Sequence, residues 1–181
     1  MEFHDEFRCA SLKFFRYYKQ LAENAFAQLS DEQLHVAIAP DSNSIAVIVQ
    51  HMAGNMHSRW DNFLGSDGES ATRDRDLEFI DVNESRDPLM RRWEGGWVAL
   101  FAALERMTDE DWMRSVTIRG ERLSVIEAVQ RQLAHYPHHV GQIVLLARAM
   151  RGANWQTLSV ARGQSAAYTA AVSEAALKLR P

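Results

Sequence analysis

From Ile126 the apolar residues Val129, Leu133, Tyr136, Val140, Ile143 and Ala147 recur at alternating steps of three and four. A helix of about 3.6 residues per turn gathers such positions onto one face, and no strand or loop does. The phase passes through Pro137 unchanged. A loop at that point would have reset it, so the proline is expected to kink one long helix rather than divide two. Ser124 and Glu127 have the spacing of a capping box and mark where that helix begins. An apolar stripe of this length has to be covered, and the rest of the chain offers further helices as the cover.

Three other segments have helical periodicity. In the first, about Asp5 to Leu29, the seam is Phe15, Tyr18, Ala22, Ala25 and Leu29. Pro40 and the cluster Asp41, Ser42, Asn43, Ser44 then mark a loop and an N-cap. The second helix, about Ser44 to Leu64, carries Ile45, Ile48, Val49, Met52, Met56 and Phe63, and it gives way to the polar loop GSDGESATRDRD. The third opens at Asp87-Pro88, read as an N-cap followed by proline in the first turn, and its stripe is Met90, Trp93, Trp97, Phe101 and Leu104. Gly95 and Gly96 within it permit close packing or a bend. Thr108 to Asp111 reads as a break, and Val116-Thr117-Ile118 before Gly120 as a short extended piece or hairpin. Leu158 and Val160 are expected to pack back on the core. The expected fold is all-α: a four-helix bundle with a short irregular or hairpin link before the last helix. Residues 1–167 form the domain, and 168–181 a C-terminal tail that is helical or frayed.

Length and composition limit what such a bundle can be. The 181 residues favour one domain large enough to bury a core without staples. A net charge of -4 with no basic run argues against nucleic acid as a partner. The lone Cys9 rules out an intrachain disulfide and a cysteine-type zinc site. The opening MEFHDEFRCA is too charged for a secretory signal, and no apolar run approaches the ~20 residues of a membrane span. A cytoplasmic protein is expected. There is no HExxH motif, P-loop, dinucleotide fingerprint or GxSxG elbow. No ExxH pair precedes His51 or His135, which points to one metal rather than two.

What chemistry remains lies in the histidines. His135 and His139 stand four apart on the last helix, within about 40° of each other, where two imidazoles can share one metal. His138 points nearly opposite, toward solvent. His51 flanks the apolar face of the second helix, with Asn55 one turn on. If those two helices are neighbours, His51 can meet the pair, and three neutral imidazoles leave coordination positions open for water or substrate. The residues alone leave the other reading standing, in which these are hydrogen-bonded structural histidines. His4, His35, His57 and His138 read as surface residues. The tryptophans 60, 93, 97, 112 and 155 read as core and rim packing. Arg59 and Arg119 can bind an anion, although solvated salt bridges are the simpler reading.

The block His135-x-x-x-His139-Val140-Gly141-Gln142-Ile143, together with His51 in IVQHMAGN, resembles the DinB-like (YfiT-like) superfamily. The segment SNSIAVIVQHMAGNMHSRW, the tryptophan-rich third helix, the IRGE link and the terminal RGQS look like an uncharacterised bacterial subfamily within it, a domain of unknown function. The likeness covers roughly residues 5–167. It implies a four-helix bundle with His51, His135 and His139 around one divalent ion, zinc or nickel. Some members are thiol transferases or thiol-dependent isomerases that use low-molecular-weight thiols such as bacillithiol or mycothiol. Val140 stands where an arginine is frequent, and Pro137 and His138 sit between the implied ligands.

The function this implies is a metal-dependent S-transferase or hydrolase acting on a small-molecule substrate. Asn55, Arg59 and Gln142 are the candidates for contacts to the substrate or behind the ligands. The alternative is a non-catalytic, metal-binding stress-response protein of DinB type. Bundles pair readily through apolar faces, so a homodimer is expected.

Overall fold

A computed structural model of the chain describes residues 3–69 and 73–178, with side-chain surroundings through residue 172. Within the polar loop 65–76, residues 70–72 lie outside the described residues, as do 179–181 of the tail. The fold is mostly helical, with one small two-stranded sheet. The long helices are α1 (Phe3–Phe26), α3 (Ile45–Trp60), α4 (Arg86–Glu105) and α6 (Val125–Arg151). Between them come two single-turn helices, α2 (Asp31–Leu34) and α5 (Asp109–Trp112), and a 3-10 turn at Leu77–Phe79. The strands β1 (Ser115–Ile118) and β2 (Glu121–Ser124) form an antiparallel hairpin, and α7 (Ser165–Lys178) carries the tail as a helix.

Each long helix starts or stops where local chemistry says it should. The Ser44 hydroxyl accepts the Val47 N–H at 3.2 Å and caps α3. At the head of α6, Ser124 and Glu127 form the reciprocal capping box. The helix then runs unbroken through Pro137 to Gly152, which ends it with φ +53°. Ser124 is also the last residue of β2, so the hairpin leads directly into α6.

Several boundaries differ from the sequence expectation. α1 ends at Phe26, and the buried Leu29 lies past it in the following turn. α3 stops at Trp60, short of Leu64. α4 begins at Arg86 with Ser85 in the cap position, so Asp87 lies inside the first turn rather than capping it. An acid there faces the positive helix end, and Pro88 gives up an N–H that has no partner in that turn anyway. The expected break at Thr108–Asp111 is a turn of helix, closed by a Thr108–Asp111 capping box and anchored by the buried Trp112.

One continuous core fills the interior. Phe15, Met52, Met56, Trp93, Trp97, Leu100, Tyr136 and Ile143 are at most 2% exposed. α3 packs along α4, and α1 along α6. The α3–α4 approach depends on Gly96, where a Cβ would come within 3.1 Å of the Met56 Cβ and 3.2 Å of the Ala53 Cα. Leu158 packs against this core, and Val160 is half-buried. No helix among the described residues is long and apolar enough to cross a membrane.

Candidate metal centre

α3 is buried on nearly every side, yet it carries His51, Asn55 and Arg59 at successive steps of four. This spacing lines three polar groups along one edge of the rod. The edge faces α6, whose facing residues include Gln132, His135, Tyr136 and His139. Burying so many polar groups is costly unless their atoms find partners; most do, and the Arg59 Nε does not among the described residues.

The three histidines meet between the two helices. Their ring centroids lie 5.6 Å apart for His51–His135, 5.0 Å for His51–His139 and 4.8 Å for His135–His139. One nitrogen of each ring lies within 4.8 Å of the others. The Nε2 atoms of His135 and His139 are 3.1 Å apart.

Every Nδ1 in the trio meets an oxygen acceptor. His51 donates to Glu78 Oε2 at 2.9 Å, His135 to Gln132 Oε1 at 3.2 Å, and His139 to Gln142 Oε1 at 2.8 Å. With the proton held at Nδ1, the lone pair of each neutral ring sits at Nε2. The donor set therefore fits a divalent ion: three imidazole nitrogens, each ring oriented by an acceptor behind it. Two facing Nε2 lone pairs repel each other, and a shared cation relieves that repulsion.

The electrostatics favour neutral rings. Burial, then the neighbouring His139, His51 and Arg59, push the His135 imidazole down to about 3. Burial lowers His139 as well, against the pull of its Gln142 hydrogen bond. Burial opposes ionisation of Glu78, but hydrogen bonds from Arg73 and His51 outweigh it and hold the carboxyl below its usual range.

Glu78 belongs to the 3-10 turn at Leu77–Phe79, which packs against α3. Arg73 grips it with Nε and Nη2 at 2.6 and 2.7 Å. Gly54 makes room for it, since a Cβ there would overlap the Glu78 carboxylate. The Phe79 ring lies 4.8 Å from that of His51. Deeper in, Trp60 Nε1 donates to the Tyr136 hydroxyl, which donates in turn to Asn55 Oδ1, both at 3.0 Å. Burial holds the Tyr136 phenol well above its usual range, against the pull of the Trp60 hydrogen bond and of the Arg59 and Arg73 charges.

The structure thus brings His51, His135 and His139 together, with Gln142 bonded to His139. Asn55 and Arg59 line a cleft that His51 and His135 share. His138 is exposed, while His35 is half-buried, with ring nitrogens on Asp81 at 2.8 Å and the Glu84 carbonyl at 3.0 Å. Sequence reasoning missed Glu78, Arg73 and the roles of Gln132 and Tyr136. Gln132 was legible, because it precedes His135 by three just as Gln142 follows His139 by three. Glu78 stands in a single turn with no periodicity to mark it.

A family model described as "Protein of unknown function (DUF1572)" matches residues 2–164. No curated protein matches the chain.

Proposed function

We propose that this chain, which belongs to the DUF1572 family of proteins of unknown function, is a mononuclear metal-dependent enzyme acting on a small molecule. The observation that carries this reading is the set of three Nδ1–oxygen hydrogen bonds, which leave the Nε2 lone pairs to three rings whose ligand atoms lie within 4.8 Å of one another. A plain structural histidine needs no such matched set. We read the four long helices as a bundle of DinB type, supported by the trio's position between α3 and α6. Zinc and nickel are the proposed ions, since imidazole donors suit both.

A divalent ion in a three-histidine site supplies Lewis acidity, lowering the pKa of a water or a low-molecular-weight thiol. The chain's own residues do the rest. Glu78, Gln132 and Gln142 hold the rings in one tautomer. Burial keeps His135 and His139 unprotonated at neutral pH, so that their lone pairs stay available. Tyr136 engages the Asn55 carbonyl oxygen, which leaves the amide N–H groups of Asn55 for a ligand in the cleft. Arg59 brings a fixed positive charge to the same wall. The reaction class is transfer of a thiol to an electrophile, or hydrolysis. Pairing of two copies belongs to the same proposal, supported by the exposed Phe14 and Tyr17 on α1.

Elemental analysis of the purified chain tests the reading. The expectation is about one zinc or nickel per chain, lost in His51→Ala and in His139→Ala. Folded wild-type protein that takes up no stoichiometric ion after loading with either metal would sink it. Stoichiometric ion without turnover of thiol or water on any electrophile would leave a metal-holding module and overturn the enzyme reading.

A further inference from the structure

Beside the trio lies a cleft of about 210 Å³ whose wall is made by His51, Asn55, Gln132 and His135 together with Arg59, Arg75, Arg119 and Arg131. Four arginines line it, and among the described residues no carboxylate does. The acids of the neighbourhood stand behind the arginines. Glu69 Oε2 accepts from Arg59 at 3.1 Å and from Arg119 at 2.8 Å, and Glu121 accepts from Arg131 at 3.4 Å.

The arginines come from four separate elements, and each is held in place. Arg59 is the third member of the buried polar edge of α3 and is 5% exposed. Its Nε is buried and has no hydrogen-bond partner among the described residues. A buried donor without a partner calls for a ligand acceptor, and arginine is the side chain best shaped to meet an oxyanion. Arg119 sits in the hairpin turn with φ +55°, a left-handed conformation that its own chemistry does not favour. The turn is locked there by Asp67, whose carboxylate accepts the Arg119 and Gly120 backbone N–H groups at 2.8 and 2.9 Å. Arg75 lies with its guanidinium 5.8 Å from the centre of the Phe79 ring, and Phe79 in turn lies against His51. Arg131 projects from α6 one turn before His135.

The geometry points to an oxyanion site: the substrate of this centre is a small organic anion, bound by its carboxylate or phosphate group to the arginine wall with its reacting end toward His51 and His135. The inference rests on the trio being a reaction centre, and it adds the class of substrate. The cleft has room for about seven water molecules, enough for one oxyanion head group with a short carbon chain. A neutral substrate without an acceptor would leave the buried Arg59 Nε without compensation.

Binding of glycerol 3-phosphate and of succinate to the metal-loaded protein, by titration calorimetry at low salt, tests it. Glycerol and succinamide serve as the uncharged counterparts. At least one anion is expected to bind and its counterpart not to, and which anion binds distinguishes phosphate from carboxylate. The dissociation constant should rise about tenfold in Arg75→Gln and again in Arg75→Gln/Arg131→Gln, since each removes a charge-assisted hydrogen bond from a largely exposed position. Raising the salt should weaken binding in the wild type. Metal content, measured on the same samples, should stay at the wild-type level in both variants. Anion binding that is absent, or unchanged in the double variant while metal is stoichiometric, overturns the oxyanion site and leaves the metal centre standing. Arginine-dependent anion binding without any metal would instead overturn the metal centre.

Discussion

Gly54 and Glu78 show how closely single atoms are matched at the trio. The Glu78 carboxylate occupies the space that a side chain at 54 would need, and from there it accepts the His51 Nδ1 proton. Gly54→Ala is therefore expected to displace the carboxylate and release the His51 ring. Losing a partner behind a metal ligand typically costs about 10–100-fold in affinity, and the same loss is expected for zinc here. Glu78→Gln, which fits the same space and keeps an oxygen acceptor, should lose less. Competition with a chelating dye on samples shown to be folded by circular dichroism separates the two. Equal affinity in Gly54→Ala and the wild type would remove Glu78 from the site's support. None of this was readable beforehand, because the Gly54–Glu78 contact spans a loop and follows no helical period. The His135–His139 pair was readable, because a spacing of four within a continuous stripe is a local fact.

Among the elements, α3 and α6 were the most legible, since each repeats its apolar spacing over several turns. The single-turn helices α2 and α5 and the 3-10 turn at Leu77–Phe79 were not, because one turn is too short to show a period and is held by tertiary contacts. The adjacent glycines of α4 separate two effects that the sequence left merged. At Gly96 a Cβ would press on the Ala53 Cα and the Met56 Cβ, both firmly held. At Gly95 the nearest group is His57 Nε2 at 3.2 Å, the far end of a half-exposed side chain that can swing aside. Gly96→Val is expected to destabilise by about 1–3 kcal/mol through overpacking. Gly95→Ala is expected to stabilise by up to about 1 kcal/mol through helix propensity. Urea unfolding of both variants checks the contrast. Destabilisation by Gly95→Ala, or tolerance of Gly96→Val, would show that α3 and α4 do not depend on this close approach.

For the molecule as a whole, the half-buried histidines of α6 set a pH dependence. His135 and His139 resist protonation when folded, whereas in the unfolded chain they titrate near the usual 6.5. Between that value and about 3 the unfolded state takes up protons that the folded state refuses at His135. By linkage, stability rises with pH across this range and falls as pH drops below about 6.5. Glu69, Glu78 and Asp81 have carboxyls lowered by folding, so their contribution is full above their ordinary values and is lost below them. The metal-free protein should thus lose thermal stability in two stages on acidification, the first before any carboxylate titrates. A melting temperature that stays level from pH 6.5 to pH 5 would contradict the half-buried, neutral rings of His135 and His139.

The trio also joins distant parts of the chain, since 84 positions separate His51 from His135. An ion shared by these rings would close that whole stretch into a loop. A cross-link over a loop of this length removes about 4–5 kcal/mol worth of conformations from the unfolded chain, in the chain-entropy treatment used for disulfides. With Cys9 as its only cysteine, the chain cannot form an internal disulfide, so a coordinated ion would serve as its one reversible staple. The same site would then govern both reactivity and the topology of the unfolded state, and stripping the ion would loosen the chain as well as silence the chemistry.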